Sequence, residues 1–205
     1  LASAALFFAS FLSWMVLQLH KQDWVKLERE DEFLQAVRGL GTAPGSYTFP
    51  GCTDMAEMKT EEYKQKYAAG PKGIITIFDQ VSMPRNLAAT FVFFLAVNFC
   101  LAYLATLAFP ADVRPSPGFM PVFRFVSTAA FLTYLAAIVQ HAIWFKCRIV
   151  GHVVESLAYA AIVGALYARS EALRSTFRSR WRSPDRPGCH SCNRPVAFRR
   201  VVAIA

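Results

Sequence analysis

The chain has 205 residues, of which 55% are hydrophobic, 14% aromatic and 18% charged, with a formal net charge of +8. The charged fraction lies below the roughly 25% usual in soluble domains, and the apolar residues fall into long, nearly uncharged runs. That pattern argues against an ordinary soluble globule, and the lack of polar residues at every second position argues against a transmembrane barrel.

A bilayer core about 30 Å thick needs roughly 20 helical residues. The first run, Leu1 to Leu19, carries no charge. It lacks a basic start, and LQLHKQDW offers no small-x-small cleavage site, so it is predicted to be a retained anchor rather than a signal peptide. The sequence begins without Met, and a few residues are expected to precede it.

Residues 20–86 carry nine Lys or Arg against ten Asp or Glu. Within them, REDEFLQAVRGLG places Phe33, Leu34, Val37 and Leu40 on one helical face before a glycine. APGSYTFPG predicts a short strand between turns. TEEYKQKYAAGP predicts a helix capped by Thr60 and stopped at Gly70-Pro71. GIITIFD, β-branched and aromatic, predicts a second strand. About 65 residues bury little core alone, so this cap is expected to lean on the membrane helices or on a partner. The acids Glu28, Glu30, Asp31 and Glu32 form a charge run expected to be a solvated face.

Three further runs follow. Leu87 to Phe109 is uncharged, Phe119 to Phe145 contains only Arg124, and Ile149 to Ala168 contains only His152 and Glu155 among polar titratable groups of its first turns. The expected fold is therefore an all-α membrane protein of four transmembrane helices with a small α+β extracytoplasmic cap between helices 1 and 2. Its parts are residues 1–19 as helix 1, 20–86 as the cap, 87–168 as helices 2 to 4, and 169–205 as a tail. That tail carries nine Arg against Glu171 and Asp185. The positive-inside rule puts it in the cytoplasm, so both termini are expected there and the cap outside, although Lys146 and Arg148 run against the rule. A basic arm beside a span is expected to meet anionic lipid headgroups or an acidic partner surface rather than nucleic acid.

This topology brings His20, His141, His152 and Glu155 to a similar depth at the extracytoplasmic helix ends. His152 and Glu155 share a helix face, and Tyr159 continues the polar stripe. The reading expected first is polar glue, with His152 and Glu155 hydrogen-bonded to each other and to a neighbouring helix. Imidazole and carboxylate are also common ligands of zinc, iron and copper, so His141, His152 and Glu155, with His20 as a weaker candidate, are the candidate metal ligands of a second reading. Haem or bacteriochlorophyll ligated by one His is another form of that idea. Glu155 as a proton carrier is a third use, although broken helices and inverted repeats typical of transporters are not apparent.

Cys100 is expected in the core. Cys52 and Cys147 both fall on the external side, where a disulfide is allowed. Cys189 and Cys192, with His190 between them, form a lone C-x-x-C that supplies only part of a zinc site. There is no phosphate-binding Gly loop, no H-E-x-x-H and no nucleophile elbow, so an enzyme is not expected.

HKQDW followed by EDEFLQAVR, PGSYTFPGC, YKQKYAAGPKGIITI, RNLAATFVFFLAV and HAIWF resembles a family of small, uncharacterised bacterial integral membrane proteins. The likeness covers roughly residues 14–168 and leaves out the Arg-rich tail. It implies four spans in the bacterial inner membrane and no particular reaction. Family members often carry an adjacent His pair where this chain has Leu19-His20. The function expected first is a non-catalytic accessory subunit of a larger respiratory or photosynthetic assembly, with lipids and other integral membrane subunits as partners. A metal- or haem-binding membrane protein is the alternative, and a small transporter or proton channel the weaker one.

Overall fold

A computed structural model describes residues 1–110 and 117–180, with side chains through residue 173. In chain order the elements are α1 (Ala2–Phe11) with a π-helical extension (Leu12–Val16), α2 (Glu30–Gly39), β1 (Gly45–Phe49), α3 (Glu61–Ala69), β2 (Gly73–Ile77), α4 (Met83–Ala108), α5 (Phe119–Phe145) and α6 (Val150–Arg180). They form two compact units, Leu1–Val25 with Pro84–Ala205, and Lys26–Met83.

In the first unit, α4, α5 and residues Val150–Leu173 of α6 are long and apolar enough to cross a membrane. The 26 residues of α4 reach about 39 Å at ~1.5 Å per residue. Pro84 and Pro121 both fall in first turns, where a missing N–H costs nothing. The first run is shorter than expected. Its ten α-helical and five π-helical residues rise about 22 Å, less than the ~30 Å of a bilayer core. Four spans of full length are therefore not seen, because the helix ends at Val16 and the chain turns.

α5 and α6 form an antiparallel hairpin in which Gly164 meets Phe123 and Ser127. A Cβ at Gly164 would sit 2.9 Å from the Ser127 Cβ and 3.1 Å from the Phe123 carbonyl oxygen. Small residues allow this close approach where no water drives helices together. Phe94, Tyr134 and Tyr159, from three helices, meet edge to face with ring centroids 5.3 to 6.1 Å apart. The Tyr167 hydroxyl donates to the Asn98 carbonyl at 2.7 Å, and Ser3 donates to the Phe94 carbonyl at 3.3 Å. Outward faces carry Phe8, Phe93, Phe99, Leu132 and Leu157, all exposed, a pattern compatible with helices that cross a membrane. Cys100 is exposed rather than core, since Phe94, Asn98 and Leu101 define the inward face of α4.

The second unit holds the expected small elements. β1 and β2 pair antiparallel with Tyr47 opposite Ile75. The Thr60 hydroxyl accepts from the Tyr63 N–H at 3.2 Å and starts α3, which stops at Gly70 with φ +64°. No residue of α2 or α3 is buried. Exposed i,i+3 and i,i+4 ion pairs line them, including Lys26–Glu30, Arg29–Glu32, Lys64–Glu61 and Lys66–Glu62. Cys52 and Cys147 are both exposed free thiols. Most of the PADVRPSPG loop and the Cys189, His190, Cys192 motif lie outside the described residues.

Candidate metal centre

The end of α1 builds the site. Its last turn widens to a π-helix, with the Leu17 N–H donating to the Leu12 carbonyl at 2.9 Å. Such turns recur at functional sites. Gln18 then takes a left-handed conformation, φ 48°, and two tight turns follow. The Lys21 N–H donates to the Gln18 carbonyl and the Asp23 N–H to the His20 carbonyl, both at 3.0 Å. These turns set His20 and Asp23 three residues apart against the start of α6.

Gly151 makes that approach close. A Cβ there would lie 3.0 Å from the Leu19 carbonyl oxygen and 3.2 Å from the His20 ring. The Arg148 guanidinium, in the turn between α5 and α6, donates to the Gln22 side-chain oxygen at 2.6 Å and ties the two turns together. Trp14 stacks on the His20 ring with centroids 4.2 Å apart and planes 18° apart.

His20 is the hub. Its Nδ1 lies 2.7 Å from Asp23 Oδ2, and its Nε2 lies 3.2 Å from Glu155 Oε2. The His152 ring is 4.3 Å from the His20 ring, and its Nε2 is 3.9 Å from Asp23 Oδ2. The Tyr159 hydroxyl donates to Glu155 Oε1 at 2.6 Å. Burial is graded across the cluster. Side-chain exposure is 2% for His20 and 10% for Glu155, but 14% for Asp23 and 25% for His152. The Asp23 and His152 edge is therefore the one open to an entering ion.

Single donor atoms of His20, Asp23 and His152 all lie within 4.8 Å of one another. Two imidazoles and a carboxylate suit zinc or iron(II), ions of borderline softness. Glu155 lies on the opposite edge of the His20 ring, where one ion cannot reach it together with Asp23. Among the described residues neither Asp23 nor Glu155 is paired with a Lys or Arg, so their charge is left to the histidines or to a cation.

Of the residues expected from sequence, the structure brings His20, His152 and Glu155 together. It leaves His141 apart: that residue is exposed near the end of α5, with its ring 4.4 Å from the Phe145 ring. Asp23 and Trp14 were missed. The signal for Asp23 was present in HKQDW, a His and an Asp three apart just past an apolar run. No protein-family model matches the chain, and no curated protein and no solved structure matches it either.

Proposed function

We propose that this protein is a multi-pass integral membrane protein that holds one divalent transition-metal ion, zinc or iron(II), at one end of its helix bundle. The observation that carries this reading is the convergence of His20, Asp23 and His152, one donor atom from each within 4.8 Å of the others, in a nest closed by Trp14 and Gly151. Ionisable groups within a bundle are costly and usually serve a purpose. Three protein ligands leave a coordination position for water or a further ligand. In this reading α1 is a fourth, shorter membrane element. The Arg-rich tail puts both termini in the cytoplasm, and the metal centre then faces the extracytoplasmic side of a bacterial inner membrane.

The test is metal analysis of the full chain purified in mild detergent without chelator. One zinc or iron per chain is expected, falling below a tenth in His20→Ala, Asp23→Ala and His152→Ala. A wild-type protein that stays empty after supplementation with either ion overturns the reading.

A role as accessory subunit of a larger respiratory or photosynthetic assembly is the second reading. It is favoured by α4, in which only Phe94, Asn98, Leu101 and Ala102 are fully buried. The same helix presents Phe93, Phe99 and Tyr103 outward, a surface suited to neighbouring helices as well as to lipid. Native purification decides it: co-purifying membrane subunits support the reading, and a lone monomer removes it.

A further inference from the structure

We infer that Glu155 and Tyr159 are positioning residues of the metal centre rather than ligands: Glu155 accepts the Nε2–H of His20 and thereby turns Nδ1 toward Asp23 and His152. This inference rests on the metal reading above.

The two ring nitrogens of an imidazole lie on opposite edges, and in the neutral ring one donates while the other accepts. An ionised carboxylate only accepts. Glu155 Oε2 lies 3.2 Å from Nε2 and Asp23 Oδ2 lies 2.7 Å from Nδ1, so without a metal each nitrogen faces a carboxylate. Once an ion takes the Nδ1 edge, the ring keeps its proton on Nε2, where Glu155 accepts it. The lone pair is then on Nδ1, the edge that Asp23 and His152 share. Histidines that ligate metals commonly donate their other N–H to a carboxylate in this way, which fixes the ring and raises its basicity.

Glu155 is itself held. Its second oxygen accepts from the Tyr159 hydroxyl at 2.6 Å, one turn further along α6. With one oxygen on His20 and the other on Tyr159, the carboxylate has no free reach to the Asp23 edge. The same helix also presents His152, three residues before Glu155. A single rigid element thus places a ligand and the group that orients the other histidine ligand. The Trp14 ring, stacked on His20, removes the remaining freedom to tilt.

The experiment titrates full-length protein in detergent with Zn²⁺ and Co²⁺, and follows the His20 ring by ¹⁵N NMR with and without Zn²⁺. Glu155→Gln should weaken binding roughly 10- to 100-fold while keeping one ion per chain and an unchanged Co²⁺ absorption spectrum. Tyr159→Phe should weaken it by a smaller factor. With Zn²⁺ bound, wild-type His20 should show a metal-bound Nδ1 and a protonated Nε2, and the Nε2–H shift should move in Glu155→Gln as that hydrogen bond weakens. Unchanged affinity and an unchanged His20 Nε2–H shift in both variants would overturn the proposal. So would a Glu155→Gln protein whose Co²⁺ spectrum shows a changed ligand set, since Glu155 would then be a ligand. If wild type binds no ion yet its His20 Nε2 shift still changes in Glu155→Gln, the metal reading fails while the hold of Glu155 on His20 stands.

Discussion

The two units handle the same chemical groups in opposite ways. In Lys26–Met83, carboxylates and cations sit in water along α2 and α3, several of them paired with a neighbour one turn away. In the helical unit, two carboxylates and two histidines are drawn from positions up to 135 residues apart into a mostly buried cluster. Exposed pairs gain little because solvent screens them and long side chains lose freedom. A buried set has no such relief, so each member depends on the others. Charge in the first setting maintains a surface, and in the second it defines a centre.

That contrast sets the expected order of mutational effects. His20→Ala should be the most damaging, because it removes the ring that Asp23 and Glu155 share and leaves Glu155 with Tyr159 alone. A loss of about 3–5 kcal/mol is typical for breaking a buried pair, and bound metal should disappear with it. Thermal melting in detergent and metal analysis check both. A mild effect would mean that the cluster is wetter than its burial implies.

Gly164→Val comes next. The new side chain would collide with Ser127 and Phe123, and overpacking of this kind costs about 1–3 kcal/mol. Melting temperature should fall while metal stoichiometry stays at one, since the contact lies well along α6 from His152. Loss of metal in this variant would show that the hairpin spacing controls the site.

Thr60→Ala removes the cap of α3 and should cost about 1 kcal/mol, read as faster amide exchange confined to residues 61–69. Lys66→Ala should be the smallest change, with melting temperature unaltered. Its readout is Glu62, whose carboxyl is held below the ordinary carboxylate range by the hydrogen bond and charge of Lys66. The sign follows from that depression. The pair's contribution is present above the unfolded carboxylate range and is lost as pH falls through the folded value. In Lys66→Ala the Glu62 titration seen by NMR should move up. His141→Ala should leave metal content unchanged, because its ring packs on Phe145 outside the cluster.

Much of the local structure was legible. Thr60, Gly70 and the β-branched residues of GIITI marked their elements because caps, left-handed glycines and strand propensity are encoded within a few residues. The uninterrupted runs after Leu87, Phe119 and Ile149 announced helices of spanning length for the same reason. The length of α1 was not legible, since the apolar run continues to Leu19 while the helix ends at Val16 through a π turn and the left-handed Gln18. His152 and Glu155 stood out because each interrupts an apolar run. Asp23 did not, lying in an ordinary polar stretch of a charged segment.

The amino-acid sequence alone determined that most of the helical unit is apolar enough for lipid and where its long helices run, because hydropathy and helix length are sums over neighbouring residues. Only the tertiary structure decided that His20 rather than His141 joins His152. That choice depends on the rotation of each helix about its axis and on the absence of a side chain at Gly151, which lets the turn after α1 settle against α6.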